Sequence, residues 1–126
     1  MNRIITVFKA LSDRNRFRVV VVLTKHSELC ACQITEFLQV TGATASRHMS
    51  LLISCGLVTS RKEGRWVYYR LAKDNPSLNV LVEWIKQRMA EVPEADEDLR
   101  KLKEILSCEP EDLCGKQRGE TCCPKK

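Results

Sequence analysis

The apolar residues of the segment 42–55 recur at the spacing of one helix face. They fall at i, i+4, i+7 and i+8, which lines one side of an α-helix: Ala45, Met49, Leu52 and Ile53. The opposite side carries short hydrogen-bonding groups and a cation, and Gly56 favours a helix end directly after it. The pattern predicts an amphipathic helix with a polar outer face.

The segment after Gly56 changes to the alternation of a β-strand. Val67, Tyr69 and Leu71 alternate with the residues between them, and Glu63-Gly64 supplies a tight turn within a basic stretch. A short apolar helix over LCACQITEFLQ precedes the amphipathic helix. Two helices followed by a basic hairpin predict a winged helix-turn-helix, in which the second helix and the wing meet base edges and phosphates. The DNA-contacting residues predicted on these elements are Thr41, Thr44, Ser46, Arg47, His48, Arg61, Lys62 and Arg65.

Four further helices are predicted, over residues 3–11, 14–24, 76–89 and 94–106. The second is favoured over a strand, despite its four consecutive valines, because the charged residues before it fit a helix start. The first is too short to stand alone, so it needs a partner. The stripe on the 76–89 helix could pack on its own domain or form a dimer seam, and the first helix favours the seam. That stripe is Leu78, Leu81, Val82, Ile85 and Met89. The predicted fold class is mainly α (α+β), with a two-stranded β-wing and flanking dimerisation helices.

The length of 126 residues fits one domain. We expect residues 1–107 to form the DNA-binding and dimerisation domain. Residues 108–126 are rich in Gly, Pro, Cys and charge with little to bury, which predicts a flexible C-terminal tail.

The net charge of +5 is unevenly distributed. Residues 1–90 hold 14 Lys and Arg against 6 Asp and Glu, an excess that suits a polyanionic partner. Neither a membrane span nor a signal peptide pattern is visible, so we expect a cytoplasmic protein. Seven cysteines in a reducing compartment indicate metal binding or redox chemistry rather than a disulfide framework.

Four stretches together resemble a known family. They are KALSDRNR at 9–16, ELCAC at 28–32, SRHMSLL at 46–52 and GLVTSRKEGRWVYYRL at 56–71. Over about residues 4–90 the chain is similar to the ArsR/SmtB family of metal-responsive repressors, and more closely to its arsenic-responsive members. The resemblance implies a homodimeric repressor rather than an enzyme. Such a repressor binds double-stranded operator DNA without a cofactor and dissociates when thiolates capture trivalent arsenic or antimony, As(III) or Sb(III).

The family's arsenic-sensing motif is usually written ELCVCDLC, and its three thiolates suit a soft trivalent ion. Cys30 and Cys32 match the first two positions, and Thr35 stands at the third. The resemblance therefore implies Cys30 and Cys32 as primary ligands, with any third thiolate from elsewhere. The candidates are Cys55, Cys108, Cys114, Cys122 and Cys123, of which Cys55 is more readily explained as a packed thiol and the pair 122–123 competes strongly.

The position of the cysteine pair suggests a mechanism. Residues two apart on an ideal helix point about 200° from one another, so one ion holding both should distort the start of the first helix of the helix-turn-helix. The tail has no evident mechanical link to the recognition helix, which favours the pair as the trigger.

Several alternatives remain open. A trivalent organoarsenical would need only two thiolates, and cadmium, lead or bismuth could act through the C-terminal cysteines. A thiol-disulfide enzyme lacks Cys-x-x-Cys here, and a structural zinc module would need paired Cys-x-x-Cys knuckles that the tail does not have. A zinc sensor of the kind that uses histidines on the 76–89 helix is not expected, because His26 and His48 both lie elsewhere.

Overall fold

The computed structural model describes residues 1–107 as helices around a small antiparallel sheet. In chain order the elements are α1 (Asn2–Leu11), α2 (Arg14–Leu23), β1 (Leu29–Cys30), α3 (Ala31–Leu38), α4 (Gly42–Ser54), β2 (Val58–Glu63), β3 (Trp66–Leu71), α5 (Pro76–Met89) and α6 (Pro93–Leu106). The predicted winged helix-turn-helix is confirmed, with α3 and α4 as its two helices and the β2–β3 hairpin as its wing. The predicted flexible tail, residues 108–126, lies outside the described residues.

Helix α2 is the centre of the core. Its four consecutive valines and Leu23 are all buried, and the helix contacts α1, α4, α5, α6 and β3. Asp13 is the N-cap, with its carboxylate accepting a hydrogen bond from the backbone N–H of Arg16 at 3.1 Å. Burial on every side therefore overrides the strand preference of valine, and the predicted helix is confirmed.

The sheet has three strands in the order β1-β3-β2, one more than the predicted two-stranded wing. Strands β2 and β3 pair from Val58↔Leu71 to Glu63↔Trp66, so the turn residues are Gly64 and Arg65. Gly64 has φ +61°, a left-handed conformation that glycine adopts without strain. The third strand, β1, is only two residues long, and its pairing with β3 places it beside the root of the wing.

The apolar stripe of α5 faces its own chain, which corrects the predicted dimer seam. Ile85 is 2% exposed and packs with Val21 of α2 and Ala95 of α6. The other members of the stripe are partly buried against the same core. Ala95, near the start of α6, covers Ile85 at this face, and the sequence of α5 alone does not indicate this contact. The apolar residues that α5 leaves exposed are Val80 and Trp84, on another face.

Helix α1 buries one side and exposes the other. Val7 and Ala10 lie in the core, whereas three apolar residues predicted to need a partner are exposed: Ile4, Ile5 and Phe8. Helices α1 and α5 therefore both present apolar side chains that no other part of residues 1–107 covers.

Helix α6 begins at Pro93 and packs against α2 and α3. Leu102 is fully buried in the main core. Arg18 of α2 joins the three helices, because its guanidinium donates to both carboxylate oxygens of Asp98 at 3.0 and 3.1 Å and lies 4.7 Å from the ring centroid of Phe37.

None of the helices within residues 1–107 is long and apolar enough to cross a membrane.

Candidate nucleic-acid interface and cysteine pair

The turn between α3 and α4 is built from local backbone chemistry. Gln39 ends α3 in a left-handed conformation, with φ 56° and ψ 47°, which reverses the chain without a glycine. Thr41 is the N-cap of α4, and its hydroxyl accepts the backbone N–H of Thr44 at 3.2 Å. A capped N-terminus fixes the direction in which α4 leaves the turn.

The outer face of α4 carries the groups expected of a recognition helix. Thr44, Ser46 and Arg47 are exposed, and Thr41 precedes them at the exposed N-terminus. Ser50 is exposed as well, one turn beyond Ser46 and Arg47. Ser50 is not among the predicted DNA contacts, although its i+3 and i+4 spacing to those residues places it on the same face.

His48 departs from its prediction, because it points into the protein. It is 9% exposed, and its Nδ1 accepts a hydrogen bond from Arg16 Nη1 at 3.2 Å, since a guanidinium can only donate. Position 48 lies three residues after Ala45 and four before Leu52, both buried, so it shares their side of the helix. Ile53 is 38% exposed instead. The buried stripe of α4 is therefore Ala45, His48, Met49 and Leu52.

The basic residues of the wing fall into two groups. Lys62 and Arg65 are exposed near the turn. Arg61 is held by its own chain: Nε and Nη2 each donate to Glu28 at 2.8 Å, and Nη1 donates to Glu63 at 2.8 Å. Its guanidinium also lies 4.5 Å from the ring centroid of Tyr68. The hydrogen bonds to Glu28, and then those to Glu63, raise the pKa of Arg61 above its ordinary range. Arg61 thus has partners within the chain, and because its side chain is still 47% exposed, the DNA contact predicted for it stays a prediction.

Cys30 and Cys32 lie where β1 turns into α3. Cys30 is the N-cap of α3 and is 1% exposed, and Cys32, at the second helical position, is 9% exposed. The backbone N–H of Cys30 donates to Gln33 Oε1 at 2.8 Å, and the backbone N–H of Gln33 is directed at the Cys30 side chain in return. This reciprocal arrangement is a capping box in which a thiol stands where serine or threonine is usual.

Thr35, at the third position of the expected motif, is turned into the protein. It is 7% exposed, and its hydroxyl donates to the carbonyl of Ala31 at 2.8 Å. Within residues 1–107 there is no group of three or more His, Cys, Asp or Glu side chains arranged to hold a metal ion.

Cys55 has the character of a packed thiol. It is the C-cap of α4, and its Sγ donates to the carbonyl of Leu52 at 3.3 Å. Burial raises the pKa of this thiol, against smaller lowering contributions from backbone hydrogen bonds and from the charge of Arg16. The other predicted ligands, Cys108, Cys114, Cys122 and Cys123, lie outside the described residues.

Comparison with known proteins identifies the family. Residues 13–60, from the cap of α2 to the wing, match the bacterial regulatory protein, arsR family. The chain is 33% identical over 92 residues to an arsenic resistance transcriptional regulator of Pseudomonas putida, covering 73% of this chain and 67% of that protein. The chain belongs to the arsR family.

Two further relatives are named for resistance to cadmium and to arsenicals. A cadmium resistance transcriptional regulatory protein CadC homolog of Staphylococcus aureus is 44% identical over 77 residues, 61% of this chain and 62% of that protein. The arsenical resistance operon repressor of Escherichia coli is 40% identical over 73 residues, 58% of this chain and 62% of that protein. The chain thus spans only 62 to 67% of the length of these arsR-family relatives.

A solved structure supports the fold. The homodimeric winged helix-turn-helix DNA-binding domain of a Mycobacterium bovis protein, determined by solution NMR, has a TM-score of 0.61 and 27% identity. The match covers 73% of this chain and 82% of that one.

Proposed function

We propose that this arsR-family protein is a homodimeric transcriptional repressor. It binds an operator in double-stranded DNA and dissociates when Cys30 and Cys32 bind trivalent arsenic or antimony. The observation that carries the proposal is the place of these two thiols at the first turn of α3, the helix packed against the recognition helix.

DNA binding is supported by the polar outer face of α4 and by the exposed basic tip of the wing. Thr44, Ser46 and Arg47 project from the first turns of α4. Lys62 and Arg65 add positive charge at the tip of the wing. Three relatives are named as regulators of resistance, and one of them as an operon repressor. We therefore assign α4 to base edges and the wing tip to phosphates.

Release by a thiophilic ion is supported by the capping box of α3. The sulfur of Cys30 stands at the N-cap position, so an ion that takes this sulfur removes it from the first turn of the helix. Loss of a Ser, Thr, Asn or Asp cap typically costs about 0.5 to 2 kcal/mol of helix stability, and loss of a cysteine cap should cost less because sulfur is a weak acceptor. Cys32 lies on the helix two residues after Cys30, and side chains at that spacing on an ideal helix point about 200° apart, so we expect one ion to hold both only if the first turn is remodelled.

Dimerisation is supported by the exposed apolar residues of α1 and α5. Ile4, Ile5 and Phe8 on one helix, and Val80 and Trp84 on the other, are uncovered within residues 1–107. The Mycobacterium bovis relative is homodimeric. A homodimer that covers these residues presents two recognition helices to two half-sites.

DNA binding is tested by gel shift against the DNA upstream of the protein's own gene. Arg47→Ala should weaken binding by about 1 to 3 kcal/mol per site, and Lys62→Ala with Arg65→Ala should also lower the salt dependence. Arg100→Ala, which removes a basic residue at an exposed position of α6, is the control. Unchanged affinity in both basic variants would remove the assignment.

Effector binding is tested by two variants of the full chain, each with and without arsenite. Cys30→Ser with Cys32→Ser should keep operator affinity and lose release by arsenite, whereas truncation after Ser107 should leave release at least partly intact. Cys55→Ser is the matched control for removing a thiol outside the pair. If the truncated protein stays bound to DNA at saturating arsenite, the trigger lies in residues 108–126.

A second effector class is favoured by Thr35. Because the third motif position is a threonine whose hydroxyl is bound to Ala31, the pair alone offers two thiolates, which is what a singly substituted trivalent organoarsenical requires. The cadmium-resistance relative keeps a divalent thiophilic ion as a further candidate. Titration with phenylarsine oxide, arsenite and cadmium, read by release from DNA, ranks the three.

A further inference from the structure

Three residues in one rung of the sheet connect the cysteine strand to the wing. Tyr68 of β3 pairs with Cys30 of β1 on one side and with Arg61 of β2 on the other. Side chains that lie directly opposite one another in antiparallel strands project from the same face. The thiol-bearing strand and the outer strand of the wing therefore share one row of side chains.

An ion pair with two hydrogen bonds connects the outer strand of the wing to the residues before β1. Arg61 reaches over the ring of Tyr68, with 4.5 Å from guanidinium to ring centroid, and donates two hydrogen bonds of 2.8 Å to Glu28. Glu28 lies two residues before Cys30, immediately before β1. The outer strand of the wing is thus joined by its side chains to the segment that enters the first turn of α3.

We propose that Glu28 and Arg61 form a latch that holds the wing against the cysteine strand, so that ion capture at Cys30 and Cys32 releases the wing from its DNA-binding position. The inference rests on the proposed function and assigns Arg61 a positioning role rather than a phosphate contact. An ion that remodels the turn at Cys30 moves β1, and Glu28 moves with it. The effector thereby acts on the wing as well as on the recognition helix.

The latch should behave as a two-state element. The latched state binds operator DNA, the unlatched state binds the ion, and each ligand shifts the population toward its own state. A change that weakens the latch must weaken operator binding and strengthen ion binding by two factors whose product is the change in the latch equilibrium, because one ligand binds the latched state and the other the unlatched state.

Glu28→Gln is the test, and Glu63→Gln is its matched control. Both changes keep the side-chain volume and remove one negative charge that contacts the same guanidinium. Glu63 lies on β2 itself, so its contact with Arg61 stays within one strand, whereas the contact of Glu28 bridges to the cysteine strand. Exposed ion pairs contribute little free energy, but the two parallel hydrogen bonds place this pair at the upper end of the usual range. We therefore expect the equilibrium between the latched and unlatched states to change about fivefold.

Three measurements compare the two variants with the wild-type chain: hydrogen exchange of the wing amides, operator affinity without arsenite, and arsenite affinity without DNA. In Glu28→Gln, relative to Glu63→Gln, the wing should exchange faster. Its operator affinity should fall and its arsenite affinity should rise, by two factors whose product is about five. Thermal denaturation at one protein concentration checks that both variants are equally folded.

The outcomes separate the latch from the proposed function. If wild type binds the operator and releases it with arsenite, but the two variants have equal wing exchange and equal affinities, the latch is wrong and the proposed function stands. If wing exchange differs but the wild-type chain shows no arsenite response, the coupling and the proposed function are both overturned.

Discussion

Neighbouring residues of α5 should have opposite roles in folding and assembly. Trp84 is 59% exposed, whereas Ile85 is 2% exposed and lies between α2 and α6. We predict that Trp84→Glu separates the proposed homodimer and leaves the fold of each protomer intact. Ile85→Ala should destabilise the fold and leave the dimer contact in place.

The expected magnitudes follow from these exposures. A tryptophan side chain has roughly 200 Å² of surface, so at about 25 cal/mol per Å² the exposed part of Trp84 contributes at most about 3 kcal/mol when covered. In a symmetric contact both copies count, which gives up to about 6 kcal/mol, or about four orders of magnitude in the dimer dissociation constant. Removing the buried side chain of Ile85 should cost about 2 to 5 kcal/mol per protomer through lost burial and the cavity left behind.

Sedimentation velocity over a range of concentrations measures the dimer, and urea denaturation at fixed concentration measures the fold. Val80→Glu, one turn before Trp84 on the same exposed face, should repeat the effect of Trp84→Glu. The control is Thr59→Glu, which adds the same charge at an exposed position of β2, away from α1 and α5 in the chain. A Trp84→Glu protein with the wild-type dissociation constant would show that α5 does not form the dimer contact.

A substitution at Thr35 and the pH dependence of Cys55 test the roles of the thiols. Thr35→Cys restores a third sulfur to the expected motif and should strengthen arsenite binding by at least about tenfold, equivalent to about 1.4 kcal/mol. Competition with a dithiol measures this affinity. Thr35→Ser, which adds no sulfur, should leave the arsenite affinity unchanged. Burial raises the pKa of Cys55 above its ordinary value of 9.0, so its alkylation by iodoacetamide, followed by peptide mass spectrometry, should be slow at pH 8 and still rising above pH 9. Because the folded state holds this proton more tightly than the unfolded state, its contribution to stability is present below pH 9.0 and is lost as the pH rises through the folded pKa.

The elements with strong local signals could be predicted from the sequence. Asp13 and Asn75 cap α2 and α5 with their side chains, and the hairpin pairs as its alternation indicates. These features depend on residues within a few positions of one another, which is the range over which periodicity and capping operate.

The features that depend on distant partners could not be predicted. Strand β1 has two residues, too few to show alternation, and exists because β3 is beside it. The inward side of α5 was assigned to a dimer because nothing in its own sequence shows that Ala95 of α6 covers Ile85. His48 has a polar side chain at a position that the helix buries, and its hydrogen-bond partner Arg16 lies 32 residues earlier in the chain.

Helix α6 also changes the argument about the trigger. The sequence offered no link between the C-terminal cysteines and the helix-turn-helix, yet α6 packs directly on α3, and Ile105 in its last turn is buried in the same core as Cys30 and Cys32. Cys108 follows Ser107, the C-cap of α6, by one peptide bond. A ligand bound by either set of thiols therefore has a route to α3, and mechanical access does not distinguish them. Cys30 and Cys32 are favoured because the Cys30 sulfur stands at the N-cap of α3, so an ion bound there acts on α3 itself. An ion bound by the C-terminal cysteines would act on α3 through α6, whose Leu102 is 0% exposed in the core.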